Sequence, residues 1–323
     1  MSENIKISII IPVFNAEKYL SETLDSIICD KFIAKYPEKS EILLIDNGST
    51  DNSDKIIKKY AKTCPAIKYL NCSEKGAAAV RNFGVRKSRG EYIWYIDSDD
   101  LIAKNAVHDL ISAADKANAD IVTFGIEQFW DTGRTFSFHA IKNTEEHWRK
   151  HFVRHGFGPW QIFIRRNLIM ENNLFFPEGI IHEDMALMPA FAIFAKSATF
   201  IDRTLYHYRQ HDNSVLHSGT WDKRQLDIFP ALEFCYSLFE KSGKAEEYCA
   251  ELEYYFIWNL LDDAARVFAR FKDGKIGFIR SRKMLKQYFP HWRRNYYLCH
   301  KPLKTQLRMR LNYWNLNPKH WIA

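Results

Sequence analysis

Apolar positions in the first third of the chain come in short dense runs separated by amphipathic stretches. Ile5 to Val13 is β-branched and almost continuously apolar, the pattern of a strand covered on both faces, as in parallel sheets. Asn15 stands where it can cap a helix from about Ala16 to Cys29, with Tyr19, Leu20, Leu24 and Ile27 or Ile28 on one face. Glu41 to Asp46 is a second buried strand, and the turn residues NGSTDNS after it open a helix toward Tyr60. The alternation continues through a strand at Ile67 to Leu70, a helix at Lys75 to Ser88 and a strand at Glu91 to Ile96. A helix at Lys104 to Ala117 and a strand at Asp120 to Phe124 complete it. This rhythm predicts an α/β fold built on a doubly wound, mostly parallel sheet. Ligands of such sheets bind beyond the carboxyl ends of the strands, so the loops after Ile11, Ile45 and Ile96 are the ones to read for chemistry.

Further on, strand-like segments reappear at Gln161 to Arg165 and Ala198 to Tyr208. Between them Glu183 to Phe194 reads as a helix with Glu183 and Asp184 in its first turn, where the helix dipole favours negative charge. From about Leu216 the pattern is helical. The expected division is a sheet domain over residues 1–215 and a helical region over 216–323.

Charge sharpens that division. The net charge is +7, yet residues 266–323 hold 15 basic side chains and one acidic one, Asp273, leaving the rest at −7. An acidic body and a basic end should meet different partners. The six cysteines form no C-x-x-C pair, which suits a reducing compartment. MSENIKISIIIPVFN has neither a basic n-region nor a small-residue cleavage site, and reads as a first strand. No stretch reaches the roughly 18 apolar residues of a spanning helix. The expectation is a cytoplasmic protein whose membrane attachment, if any, is peripheral.

The loop after the strand Glu91 to Ile96 is Asp97-Ser98-Asp99-Asp100. Mg²⁺-like cations take one or two carboxylates together with substrate phosphates and water, and two aspartates one residue apart meet that need. The same residues also suit the end of a strand and the cap of the next helix.

Four blocks occur in order at the sheet edge: Ile9 to Asn15, Ile45 to Asp51, Gly76 to Asn82 and Gly90 to Asp100. Together they resemble the family 2 inverting glycosyltransferases with the GT-A fold. The similarity extends through Pro159-Trp160, Phe176 to Gly179, His182-Glu183-Asp184 and Tyr206 to Gln210. The resemblance implies that Asp99 holds Mn²⁺ or Mg²⁺ against the diphosphate of a nucleotide sugar, with Asp97 on the ribose or the same metal. It implies a further nitrogen ligand from His207 or His211, and a donor site formed by Pro12, Val13, Asn15, Asp46, Arg81 and Arg209. The family's frequent second Asp after Asp46 is Asn47 here. Asp184 matches the catalytic aspartate, the general base toward the acceptor, with Glu183 and Trp160 on the acceptor side. The expected reaction moves a monosaccharide, most simply from a UDP-sugar, to a hydroxyl of a glycan acceptor that is lipid-linked, as in bacterial surface polysaccharide assembly. The alternatives are a sugar-nucleotide pyrophosphorylase, for which PVFNAEK supplies no Gly-rich phosphate loop, and a non-catalytic glycan-binding scaffold.

In the tail, Leu303, Leu307, Leu311 and Trp314 share one helical face, with Lys304 and Arg308 beside it. That is the build of an interfacial helix on an anionic membrane surface. Nucleic acid is not expected as a partner, since no groove-reading or base-stacking motif accompanies the charge. The competing reading is a helical cap with a solvated basic face.

Overall fold

The computed structural model describes residues 5–138, 148–210 and 221–314. Nine strands form one sheet: β1 (Ile7–Val13), β2 (Ser40–Asp46), β3 (Ile67–Asn71), β4 (Tyr92–Tyr95), β5 (Leu101–Ile102), β6 (Ile121–Trp130), β7 (Thr135–Phe138), β8 (Ile162–Arg165) and β9 (Ala198–Gln210). Their order is β3-β2-β1-β4-β8-β6-β9-β5, with β7 added to β6. The stretch β3-β2-β1-β4 is parallel throughout, and β6 pairs with β9 in parallel. β8 enters antiparallel between β4 and β6. This is the doubly wound sheet expected, with its parallel half at the amino-terminal side.

The central strands are buried on both faces, which is why they read as unbroken apolar runs. Helix Ala77–Lys87 presses on β1 and β2 at Gly84, where a Cβ would stand 2.5 Å from an Ile10 methyl. The polar exceptions in this core are paired. Ser8 Oγ donates to Glu41 at 2.5 Å, and Lys68 Nζ reaches the other Glu41 oxygen at 2.6 Å. The Arg89 amide also donates to Glu41, and Gly90 N–H to Ser8 Oγ.

One helix boundary differs from the expectation. The first helix is Leu20–Ile28, not a helix capped by Asn15 from Ala16. Asn15 adopts a left-handed conformation (φ 50°), and its side chain accepts from Thr50 N–H in the loop after β2. The capping group is thus spent across the sheet edge.

Two units divide the chain. The first comprises residues 1–148, 157–179 and 194–214, and the second residues 149–156, 180–193 and 215–323. The first holds the whole sheet. The second is helical and includes most of helix Glu183–Phe194 as well as the C-terminal helices. All six cysteines are free thiols.

Candidate active site

Because β1, β2 and β4 run parallel, their carboxyl ends share one edge. The loops after β1 and β2 are laced together there. Asn15 N–H donates to Ser49 Oγ, Ala16 N–H to Ser53 Oγ and Glu17 N–H to Asp51, while Glu17 accepts from both Asn52 nitrogens. Pro12 and Val13 end β1 opposite Ile45 and Asp46. Asp46 is buried and accepts from Ser49 N–H at 3.1 Å, turning the chain. Asn47 is a strut: its amide donates to the Cys72 and Glu74 carbonyls (3.0 and 2.7 Å) and accepts from Gly76 N–H.

The Asp97–Asp100 loop is clamped from several sides. Thr23 donates to the Ser98 carbonyl, and Arg209 Nε to the Asp99 carbonyl. Asp97 N–H donates to the Tyr206 hydroxyl (3.1 Å), which donates onward to Asp100 Oδ2 (2.6 Å). The other Asp100 oxygen accepts from Arg209 N–H at 2.7 Å. Asp100 is fully buried, whereas Asp97 and Asp99 are half-buried. Burial drives the Asp100 carboxyl well above the usual carboxylate range, and the Asp97 and Asp99 charges push it further against the Tyr206 and Arg209 hydrogen bonds. Asp100 therefore positions the loop from beneath, while Asp97 and Asp99 stay partly exposed.

Arg81 and Arg209 differ in placement from a simple phosphate-facing pair. Arg81, on helix Ala77–Lys87, pairs with Asp97 at 3.0 Å. Arg209 is buried, with its guanidinium on Glu22 (2.6 Å), Asp131 (3.0 Å) and the Asp99 carbonyl, over the Tyr19 and Phe129 rings. This is a positioning geometry: it fastens the acidic loop to helix Leu20–Ile28 and β6. His207 Nδ1 lies 3.1 Å from Glu127, and His211 falls outside the described residues. Trp160 stacks on Tyr206 and Tyr208 (centroids 5.0 and 4.9 Å), so the strand carrying Tyr206 and Arg209 also seats the indole.

Asp184 belongs to the second unit, at the start of helix Glu183–Phe194, where its Oδ1 accepts from Met185 N–H. Beside it, burial lowers the His182 imidazole below its ordinary value, the Asp184 and Asp227 charges pulling it partway back. Tyr255 donates to the Met185 carbonyl and Ile181 N–H to Asp227, fixing this helix start within its own unit.

Among the described residues, no three or more His, Cys, Asp or Glu side chains gather as a metal cage. Asp97 and Asp99, both partly exposed, are one or two carboxylates of the kind that a cation held largely by substrate phosphates takes.

A family model described as glycosyl transferase family 2 matches residues 8–192, more than half of the chain. The chain belongs to glycosyl transferase family 2. The match overturns the pyrophosphorylase alternative. Among curated relatives, glycosyltransferase GlyG of Streptococcus pneumoniae is 27% identical over 241 residues, 69% of this chain and 78% of GlyG. Two solved structures share the fold. TarS residues 1–349 from Staphylococcus aureus, in complex with UDP-GlcNAc, match with a TM-score of 0.75 at 20% identity, covering 97% of this chain and 90% of that one. Mannosyltransferase PcManGT from Pyrobaculum calidifontis, in complex with GDP-Man and Mn²⁺, matches with a TM-score of 0.56 at 15% identity, covering 97% and 87%. The glycosyltransferase thus has the GT-A fold.

Sequence reasoning missed Asp100, Tyr206 and Glu22 as site residues. In sequence, Asp100 is one more acid in DSDD and Tyr206 one more aromatic in a strand. Their link spans 106 residues, beyond the reach of any local pattern.

Proposed function

We propose that this glycosyltransferase transfers a monosaccharide with inversion from a nucleotide sugar, most simply a UDP-sugar, to a glycan hydroxyl. The acceptor is carried on a lipid diphosphate, and the enzyme works at the cytoplasmic face of the membrane in surface polysaccharide synthesis. The observation that carries the chemistry is the clamped Asp97–Asp100 loop at the end of β4, inside the family match. Asp99, at the position of the last aspartate of the family's D-x-D signature, is the main protein ligand for Mn²⁺ or Mg²⁺, while Asp97 pairs with Arg81. The ion, when bound, offsets the negative charge of the departing diphosphate. Asp97 with Arg81 orients the ribose side of the donor, and Asp46, Pro12, Val13 and Asn15 flank its base. Arg209 holds the loop rather than the phosphates.

Asp184 takes the proton of the acceptor hydroxyl as that oxygen bonds to the anomeric carbon from the face opposite the leaving group. The bond from that carbon to the phosphate oxygen breaks, and its electron pair leaves on the diphosphate. Glu183 and Trp160 contact the acceptor. The sheet in residues 1–215 binds the donor, while the region from 216 contributes acceptor or membrane contacts.

The test is a panel of nucleotide sugars titrated calorimetrically with Mn²⁺ and with EDTA, against wild type and Asp99→Ala. One UDP-sugar should bind only with metal, and the substitution should abolish the difference. Equal binding with and without cation would return the DSDD loop to a purely structural role.

A further inference from the structure

The C-terminal helix Leu303–Trp314 is mounted the opposite way from an ordinary surface helix. Its inward side carries Met309, fully buried, together with two polar anchors. Arg308 pairs with the buried Asp262 carboxylate at 2.6 Å, and Asn312 donates to the Leu261 carbonyl at 2.8 Å. Both acceptors lie in the π-helical turn Asn259–Asp263, whose widened backbone frees a carbonyl for such a bond. Arg266 closes the same cluster on Asp262. Leaving the buried Asp262 carboxylate short of a partner is destabilising, so the anchors fix which side of the helix faces in.

The consequence is an apolar stripe facing out. Leu303 is 82% exposed, Leu307 49% and Trp314 55%, at spacings of four and seven residues along one face. Lys304 and Arg310 are exposed on the same turns. The helix Lys275–Tyr288 packs beside it and shows Ile276 and Ile279 to solvent among Lys275, Arg280 and Lys283. A soluble surface has no use for that orientation, because burying the leucines and exposing Arg308 would lower its free energy.

We infer that this face docks on an anionic lipid bilayer, with Leu303, Leu307 and Trp314 entering the headgroup boundary and the flanking Lys and Arg contacting lipid phosphates. Charge complementarity selects this occupant. Residues 266–323 carry 15 basic groups and one acidic group, so a second copy laid on the same face would bring like charge against like. An anionic membrane offers both the apolar phase and the counter-charge. The inference rests on the mounting of this helix and not on the transfer chemistry, so it stands or falls apart from the proposed reaction.

The experiment is sedimentation of the full chain with vesicles containing phosphatidylglycerol and with vesicles of phosphatidylcholine alone. Wild type should bind the anionic vesicles at least about tenfold more tightly, and salt should weaken the binding. Leu303→Glu/Leu307→Glu should lower the partition coefficient about tenfold or more while leaving metal-dependent donor binding unchanged. Lys304→Glu/Arg310→Glu is the second variant, and it should remove the preference for anionic over neutral vesicles. Equal binding to both vesicle types, or variants that bind like wild type, would overturn the inference. So would a dimer, detected by light scattering without lipid, that the leucine substitutions dissociate, since the face would then be a self-interface.

Discussion

At the residue scale, Asn47 and Tyr206 show how the site depends on which atoms donate. The Asn47 amide gives hydrogens to two carbonyls, of Cys72 and Glu74, and a carboxylate there can give none. Asn47→Asp should therefore destabilise the protein by about 3 kcal/mol, read as a lower urea midpoint at unchanged slope. An unaltered midpoint would mean that the loop does not depend on those donors. Tyr206 is likewise caught between a donor and an acceptor, the Asp97 amide and the Asp100 carboxylate. Tyr206→Phe leaves both groups a partner short, and the acidic loop should loosen. Metal-dependent donor affinity should fall about tenfold in calorimetric titration, and an affinity equal to wild type would contradict this. DSDD and the Glu183-Asp184 pair stand out in the sequence because acids after an apolar strand or at a helix start are locally conspicuous. The guanidinium of Arg209 cannot be read that way, since its partners Glu22 and Asp131 lie 187 and 78 residues off.

At the scale of elements, β1, β2 and β4 were legible because burial on both faces writes itself as unbroken apolar runs. The insertion of β8 between β4 and β6 was not, because strand neighbours are chosen by non-local pairing that leaves no local pattern. The start of the first helix was misplaced for a related reason: Asn15 serves Thr50 and not the helix. Within β2, Glu41 has a titration consequence. Burial pushes its carboxyl up, but the Lys68, Ser8 and Arg89 hydrogen bonds together outweigh burial, and the net shift is downward. A carboxyl depressed on folding stabilises the protein above its unfolded value of roughly 4.3, and that stabilisation disappears as pH falls through the lower folded value. Glu41→Gln should lower the melting temperature at pH 7 and flatten its decline below about pH 4.5. A variant whose melting curve against pH parallels wild type would contradict this.

At the scale of the whole molecule, the chain divides into a sheet unit bearing the DSDD loop and a helical unit that bears Asp184, the outward apolar stripe and the basic end of the chain. Among the described residues no helix is long and apolar enough to cross a membrane. The central claim is a division of labour between carboxylates, Asp99 serving the leaving group and Asp184 the incoming hydroxyl. It is tested most directly by comparing Asp99→Ala with Asp184→Asn in donor hydrolysis, where water stands in for the acceptor, alongside Mn²⁺-dependent donor binding. The account predicts that Asp184→Asn binds the donor as wild type does while its turnover falls by about 10² or more, and that Asp99→Ala loses the metal-dependent binding itself. Full turnover in Asp184→Asn, or intact metal-dependent binding in Asp99→Ala, would contradict it.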